Sequence, residues 1–288
     1  MNIQDFENLH FGETGIIVGN GPNLTEIDLE FLRDYSTLAT GSISLVYDDT
    51  NWRPTYFVSL HNLKKERRYN DLIDNQKSIC FINDRFSDFL IKRNVFPLKK
   101  TLDLRNERQL SSAYQSFKTE KSLCSKQNLG NFWSFDISQY IISMHSYYDM
   151  AQIAAYLGFS RIFLIGFDPQ KYDTNPPLEF EISNYKNNKI GYLLDSLTTD
   201  SPIYHISHGL EHMLAARGYT AQKYPSHFTK QYETRRFSYI VVEEMINSHK
   251  LASVMFEFLG IDAFVVGSQY LPYQHVHPSE FESAIDNL

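Results

Sequence analysis

Short, uninterrupted apolar runs alternate with helical periodicities along this chain, the pattern of an α/β protein whose strands are buried on both faces. Residues 16–18, Ile-Ile-Val, form the first run and lead into Gly19-Asn20-Gly21-Pro22, after which residues 23–32 read as a helix. Further strands are expected at 37–42, at 53–60 with Pro54 at the start where a missing donor is tolerated, and at 78–82. The stretch 84–135 is polar and mixed; it contains Phe96-Pro97-Leu98 and a short strand expected at 101–104. Met150, Ile153, Ala154 and Leu157 then fall on one helical stripe over 146–158, which Gly158 is placed to terminate. Residues 161–168, Arg-Ile-Phe-Leu-Ile-Gly-Phe-Asp, follow as a central strand. From 169 to 236 the periodicity fades, apart from a helix expected at 209–217. A segment of that length after a central strand reads as a lid or inserted segment rather than a structureless loop. A long helix over 239–259 and a last strand over 262–266 complete the pattern.

The expected organisation is a single Rossmann-like α/β domain with a mostly parallel sheet. Residues 1–168 form its core, 169–236 the lid, and 237–288 the C-terminal helix and strand that complete the core. The chain is 288 residues long, enough for one large domain with an insertion, and its 21 Phe and 19 Tyr supply a well-filled core with hydroxyls left over for ligands. A net charge of −7 argues against wholesale nucleic-acid binding. Cys80 and Cys124 lie far apart and form no metal or redox pattern, which fits a reduced, cytoplasmic setting. No signal peptide is visible at the N-terminus, and no apolar run approaches the roughly 20 residues of a membrane span. The basic run over 64–69 reads as a solvated helix face; peripheral contact with an inner membrane through it is the other reading.

A strand, a tight glycine turn and a helix N-terminus are how α/β proteins build the floor of a nucleotide site. Gly19 and Gly21 allow close backbone approach, and the Asn20 amide both donates and accepts. The loop is not a dinucleotide fingerprint, because Leu24 stands where the third glycine belongs and Thr40-Gly41-Ser42 supplies no ribose-binding carboxylate. Nor is it a Walker loop, which needs Lys followed by Ser or Thr. Asp168 ends the central strand at the edge where open sheets bind ligands, to hold a ribose or base, or to cap the next turn. His205, His208, His212 and His227 gather in the irregular segment. His208 and His212 flank Glu211 in the wrong order for a zinc helix, and Asp48-Asp49 lacks the spacing of a metal-binding acidic pair, so no metal is expected. His227 has the chemistry of a general base for a sugar hydroxyl.

Taken in order, Gly19-Asn20-Gly21-Pro22-Asn23-Leu24, Pro54-Thr55-Tyr56-Phe57, Ser146 through Phe159, Ile162 through Asp168, and His227 before the last long helix make a family resemblance. The chain resembles the bacterial CMP-sialic acid-dependent sialyltransferases of glycosyltransferase family 42, and equally a related family of bacterial polysaccharide and motility-glycan proteins. The resemblance implies a variant of the GT-A fold with a lid. It implies an inverting, metal-independent transfer of a sialic acid-like (ulosonic acid) sugar from a CMP-activated donor to a hydroxyl of a surface glycan or glycolipid, without a cofactor. It places Gly19, Asn20, Gly21 and Pro22 on the donor's phosphate or ribose, Ser146 near the phosphate, and Gly166, Phe167 and Asp168 against the nucleotide. His227 becomes the base, and Tyr172 the lid tyrosine that stabilises the departing CMP. Where the sialyltransferases carry Asn after the second and third strands, this chain has Thr40-Gly41-Ser42 and Ser59; these departures bear on which ulosonic acid is the donor. Two other classes stay open: a Mg²⁺-dependent nucleotide enzyme resembling pterin diphosphokinases, and a non-catalytic nucleotide- or glycan-binding protein. An oligomer is compatible with each.

Overall fold

The computed structural model describes residues 2–21, 24, 27–40, 43, 46–47, 50–60, 78–85, 94–103, 107–167, 239–268 and 271–287. Its strands, in chain order, are β1 (Thr14–Val18), β2 (Ser36–Thr40), β3 (Tyr56–Ser59), β4 (Ile79–Asn83), β5 (Val95–Leu98), β6 (Lys100–Asp103), β7 (Ile141–Ser143), β8 (Arg161–Ile165), β9 (Asp262–Val266) and β10 (Gln274–Val276). Eight of them form one sheet in the order β10-β9-β8-β1-β2-β3-β4-β5, and β6 pairs separately with β7. Every pairing is parallel. The protein is an α/β fold built on one eight-stranded parallel sheet, with the β6–β7 pair beside it as a second, small sheet.

Strand alternation divides the core in two. Ile17, Leu38, Val58, Phe81 and Leu164 face one layer, where helices α1 (Glu107–Thr119), α2 (Ser146–Leu157) and α3 (Tyr239–Leu259) pack. Ile16, Val18, Ala39, Phe57, Ile82 and Phe163 face a second, thinner layer closed by Trp52 and by helix α4 (Phe281–Asn287). Because both faces are covered, the strands read as continuous apolar runs in the sequence. Helix α2 is buried well beyond its apolar stripe, since it lies between the sheet and α3; Tyr147, Tyr148, Asp149 and Gln152 are all within the core. Gln152 serves as its polar fastener there, donating to the Ile142 carbonyl at 2.6 Å and accepting from the Ser134 amide at 2.9 Å. Gly158 ends α2 in the left-handed region, with φ 88°, as the glycine there implies.

Of the helix expected over 23–32, residues 23, 25 and 26 lie outside the described residues, and the described ones, 24 and 27–32, are not α-helical. Among the described residues there, hydrogen bonds run three residues back: Leu24 N to Gly21 O, Ile27 N to Leu24 O and Leu32 N to Leu29 O. A 3-10 turn forms at Phe31–Asp34. Asp28 explains part of this, because its carboxylate accepts the Glu30 amide at 2.9 Å and so competes with helical pairing. The unassigned stretch 84–135 holds β5, β6 and α1, and Pro97 sits exposed on β5 at the edge of the sheet, where a missing donor is harmless. Residues 262–266 are β9 but not the last strand, since β10 adds a further edge beyond it. The lid expected at 169–236, with its helix at 209–217, and the basic run at 64–69 lie outside the described residues. Among the described residues no helix is long and apolar enough to cross a membrane.

Candidate functional site at the carboxyl edge

Strand order reverses once. From β1 the chain steps outward through β2, β3, β4 and β5, while β8, β9 and β10 extend from the other side of β1. The reversal point lies between the carboxyl ends of β1 and β8, the position where open parallel sheets bind ligands. The two glycine turns that the sequence singles out meet there. Gly19 N donates to Ile165 O at 2.8 Å, and Gly21 N donates to Gly166 O at 2.7 Å. A Cβ on Gly19 would lie 2.3 Å from Gly166 O, and Gly166 combines a φ of 73° with Gly19 backbone 2.9 Å from its own Cβ position. These glycines let two loops cross backbone to backbone. The Gly19 and Gly21 amides are therefore committed to protein carbonyls, so a ligand at this edge would be met by side chains and neighbouring turns.

Asn20 is the first such side chain. Its Nδ2 donates to the Thr40 carbonyl at 3.0 Å, tying the β1 turn to the end of β2, which leaves Oδ1 buried without a hydrogen-bond partner among the described residues. Thr40 in turn donates its hydroxyl to Val58 O at 2.6 Å, so its oxygen remains an acceptor. Ser59, buried, ends β3. Gly166, Gly19, Thr40 and Ser59 thus stand at or just past the carboxyl ends of four adjacent strands, β8, β1, β2 and β3.

On the β8 side an aromatic wall rises from the same crossing. A Cβ on Gly19 would come within 2.9 Å of the Phe167 ring, which stands edge-on to Tyr147 and to His249 with centroids 5.2 and 5.3 Å away. The His249 imidazole lies flat on the Tyr147 ring, 3.7 Å between centroids and 18° between planes. Tyr273 completes the group, edge-on to His249 at 5.7 Å. Its hydroxyl donates to the His249 carbonyl at 2.8 Å, so the 2.6 Å contact between the two phenols has Tyr147 as donor and Tyr273 as acceptor. Burial raises the pKa of both tyrosines and keeps them protonated. His249 is fully buried, and neither ring nitrogen has a hydrogen-bond partner among the described residues. Desolvation, and then the nearby His145, hold its pKa well below 6.5, so the ring is neutral. His145 caps α2, its Nδ1 accepting the Tyr147 amide at 3.4 Å, and Ser146 opens the helix half-buried beside it.

Of the residues picked from sequence, the fold brings Gly19, Asn20, Gly21, Thr40, Ser59, Gly166 and Phe167 to this edge, with Ser146 at the head of the helix that carries Tyr147. Pro22, Gly41, Ser42, Asp168, Tyr172 and His227 lie outside the described residues. Sequence reasoning passed over Tyr147, His249 and Tyr273. No sequence signal marked His249: Asn247-Ser248-His249 is a polar run in a helix that also carries Glu243, Glu244, Lys250 and Glu257, and it is the structure that shows the three to be buried. Among the described residues no group of three or more His, Cys, Asp or Glu is placed to hold a metal ion.

No protein-family model and no curated protein matches this sequence. Among solved structures, the chain is similar to the sialyltransferase CstII from Campylobacter jejuni in complex with a substrate analogue, cytidine-5'-monophosphate. The identity is 22%, over 55% of this chain and 62% of that one, with a TM-score of 0.32. It is also similar to the sialyltransferase CST-II in complex with trisaccharide acceptor and CMP, at 21% identity over 60% of this chain and 78% of that one, with a TM-score of 0.31. This chain thus spans 62% of the length of the first of these structures.

Proposed function

We propose that this protein is a glycosyltransferase that binds a CMP-activated, sialic acid-like sugar at the carboxyl edge between β1 and β8 and transfers it to a hydroxyl of a bacterial surface glycan. One observation carries the reading. Two of the sequence islands behind the resemblance, Gly19-Asn20-Gly21 and Gly166-Phe167, lie far apart in the chain, yet they cross at the reversal point of the sheet with Gly21 N on Gly166 O at 2.7 Å. In this reading Asn20 Oδ1 receives a donor hydrogen bond from the nucleotide sugar, while Thr40, Ser59 and Ser146 line the same edge. Gly41, Ser42, Pro22 and Asp168 extend that set. His227 takes the proton of the acceptor hydroxyl as it attacks the anomeric carbon, and the bond to the CMP phosphate oxygen breaks. Tyr172 donates to that leaving phosphate, doing by hydrogen bonding what a metal does elsewhere.

The reading is tested by thermal denaturation with CMP, ATP and NAD, since a ligand that binds the folded state raises its midpoint. CMP is expected to raise the midpoint and the other two to leave it unchanged. A shift with ATP or NAD alone overturns the proposal. In turnover, release of CMP from a CMP-linked ulosonic acid is expected to persist in EDTA and to fall at least 100-fold in His227→Ala, within the range of about 10²–10⁴ for a lost general base. Loss of turnover on chelation would favour a Mg²⁺-dependent nucleotide enzyme instead.

A further inference from the structure

His249 is held with unusual care for a residue whose ring makes no hydrogen bond among the described residues. Three elements converge on it: α2 places the Tyr147 ring flat against the imidazole, the loop before β10 pins its backbone carbonyl through Tyr273, and the turn after β8 sets Phe167 edge-on. The hydroxyl relay from Tyr147 to Tyr273 to the His249 carbonyl fixes the helix turn that carries the ring. An aromatic cage of this kind suits phenylalanine, which would fill it with no polar atom to leave unmatched. Instead it encloses two ring nitrogens without a protein partner among the described residues, in contact with the residue, Phe167, that packs on Gly19. A buried polar group kept at such a cost is accounted for when it has work at a ligand.

We infer that the His249 imidazole is a recognition group of the carboxyl-edge site, hydrogen-bonding an uncharged polar edge of the bound nucleotide, either the base or a ribose hydroxyl. The inference rests on the nucleotide reading proposed above. The chemistry selects the class of group. A neutral imidazole presents one N–H and one lone pair, which match a donor–acceptor edge. It gives no cation for a phosphate or carboxylate, and charging the ring inside an aromatic cage beside His145 is disfavoured. The anionic parts of the ligand therefore belong elsewhere on the edge, and His249 reads its neutral part. Because the ring is fully covered, the ligand reaches it by displacing a covering side chain.

The test compares the full chain with His249→Phe and His249→Gln, each titrated with CMP, cytidine, ribose 5-phosphate and inorganic phosphate. In His249→Phe the unliganded protein is expected to melt at the same temperature or higher, and CMP to bind about tenfold more weakly, the loss of one neutral hydrogen bond. His249→Gln keeps a donor and an acceptor and is expected to recover part of the affinity. Weakened cytidine binding with ribose 5-phosphate unchanged assigns the contact to the base, weakening of both assigns it to the ribose, and phosphate is expected not to respond. Equal CMP affinity in all three proteins, or a His249→Phe that melts well below the parent, overturns the inference and leaves the nucleotide reading intact. Absence of any nucleotide binding by the parent overturns that reading and this inference with it.

Discussion

Two histidines at opposite ends of the sheet lie flat on aromatic rings, and only one of them is finished. His10, at the amino end, stacks on Phe159 at 4.7 Å and 9°. Its Nδ1 donates to the Glu13 carboxylate at 2.7 Å, and its Nε2 meets the Tyr56 hydroxyl at 2.6 Å. His249, at the carboxyl end, has the closer stack, on Tyr147, and no ring hydrogen bond among the described residues. The same side chain in the same kind of contact is a satisfied fastener in one place and an unmatched group in the other. That difference follows the general division of labour in parallel sheets, in which the amino edge serves stability and the carboxyl edge function. It also separates a histidine that explains itself from one that calls for a ligand.

The glycines of the two ends give the largest expected contrast. Gly19→Ala drives its Cβ against the Gly166 carbonyl, a backbone atom that cannot move aside, and is expected to cost more than about 3 kcal/mol in urea unfolding. Gly15→Ala at the amino end meets the Phe159 ring instead, 2.8 Å away, and a ring can shift; overpacking of that kind costs about 1–3 kcal/mol. Equal losses at the two positions would remove the case for a tight backbone crossing at the carboxyl edge.

Next comes the pair of histidines. His10→Phe leaves the Tyr56 hydroxyl buried without its partner and is expected to destabilise by about 2 kcal/mol, whereas His249→Phe is expected to be neutral or stabilising. Matching losses would place His249 with His10 as a structural residue. The pH dependence sharpens the same point. The folded-state pKa of His249 is depressed below its unfolded value near 6.5, so above that pH the ring is neutral in both states and stability is full. As pH falls, the unfolded chain takes up a proton that the folded state refuses, and stability is lost towards the folded pKa. Between pH 7.5 and 5.5 the parent is therefore expected to lose about 1 kcal/mol more than His249→Phe, read from urea midpoints at the two pH values. The smallest effect belongs to Tyr273→Phe. Removal of its hydroxyl breaks the relay to the His249 carbonyl and is expected to cost about 1 kcal/mol, with a weakened CMP response if the relay positions the ring.

Much of the frame was legible because its strands are buried on both faces. The runs at 16–18, 78–82, 161–165 and 262–266 needed no tertiary knowledge, and the glycine after α2 marked its end. Over its described residues, 24 and 27–32, the helix expected after Gly21 did not form, because apolar spacing alone does not weigh a local carboxylate such as Asp28, which takes up the Glu30 amide. The candidate site was legible in its glycines and in Asn20, yet their use was not. Glycine announces that something approaches closely, and here the Gly19 and Gly166 backbones approach each other. His249 was passed over because a histidine in a helix of mixed polarity has no sequence pattern of its own; its meaning comes from what surrounds it.

By itself, then, the sequence determined the α/β class, most of the strands, and the presence of two glycine turns suited to a sheet edge. Periodicity and backbone sterics are local properties, written residue by residue. Tertiary structure alone decided that these turns cross at the point where strand order reverses. It also decided that Tyr147, Phe167 and Tyr273, from three separate elements, close around the His249 imidazole, whose nitrogens have no hydrogen-bond partner among the described residues. Contacts between residues a hundred or more positions apart depend on strand order and helix packing, and no local spacing encodes them.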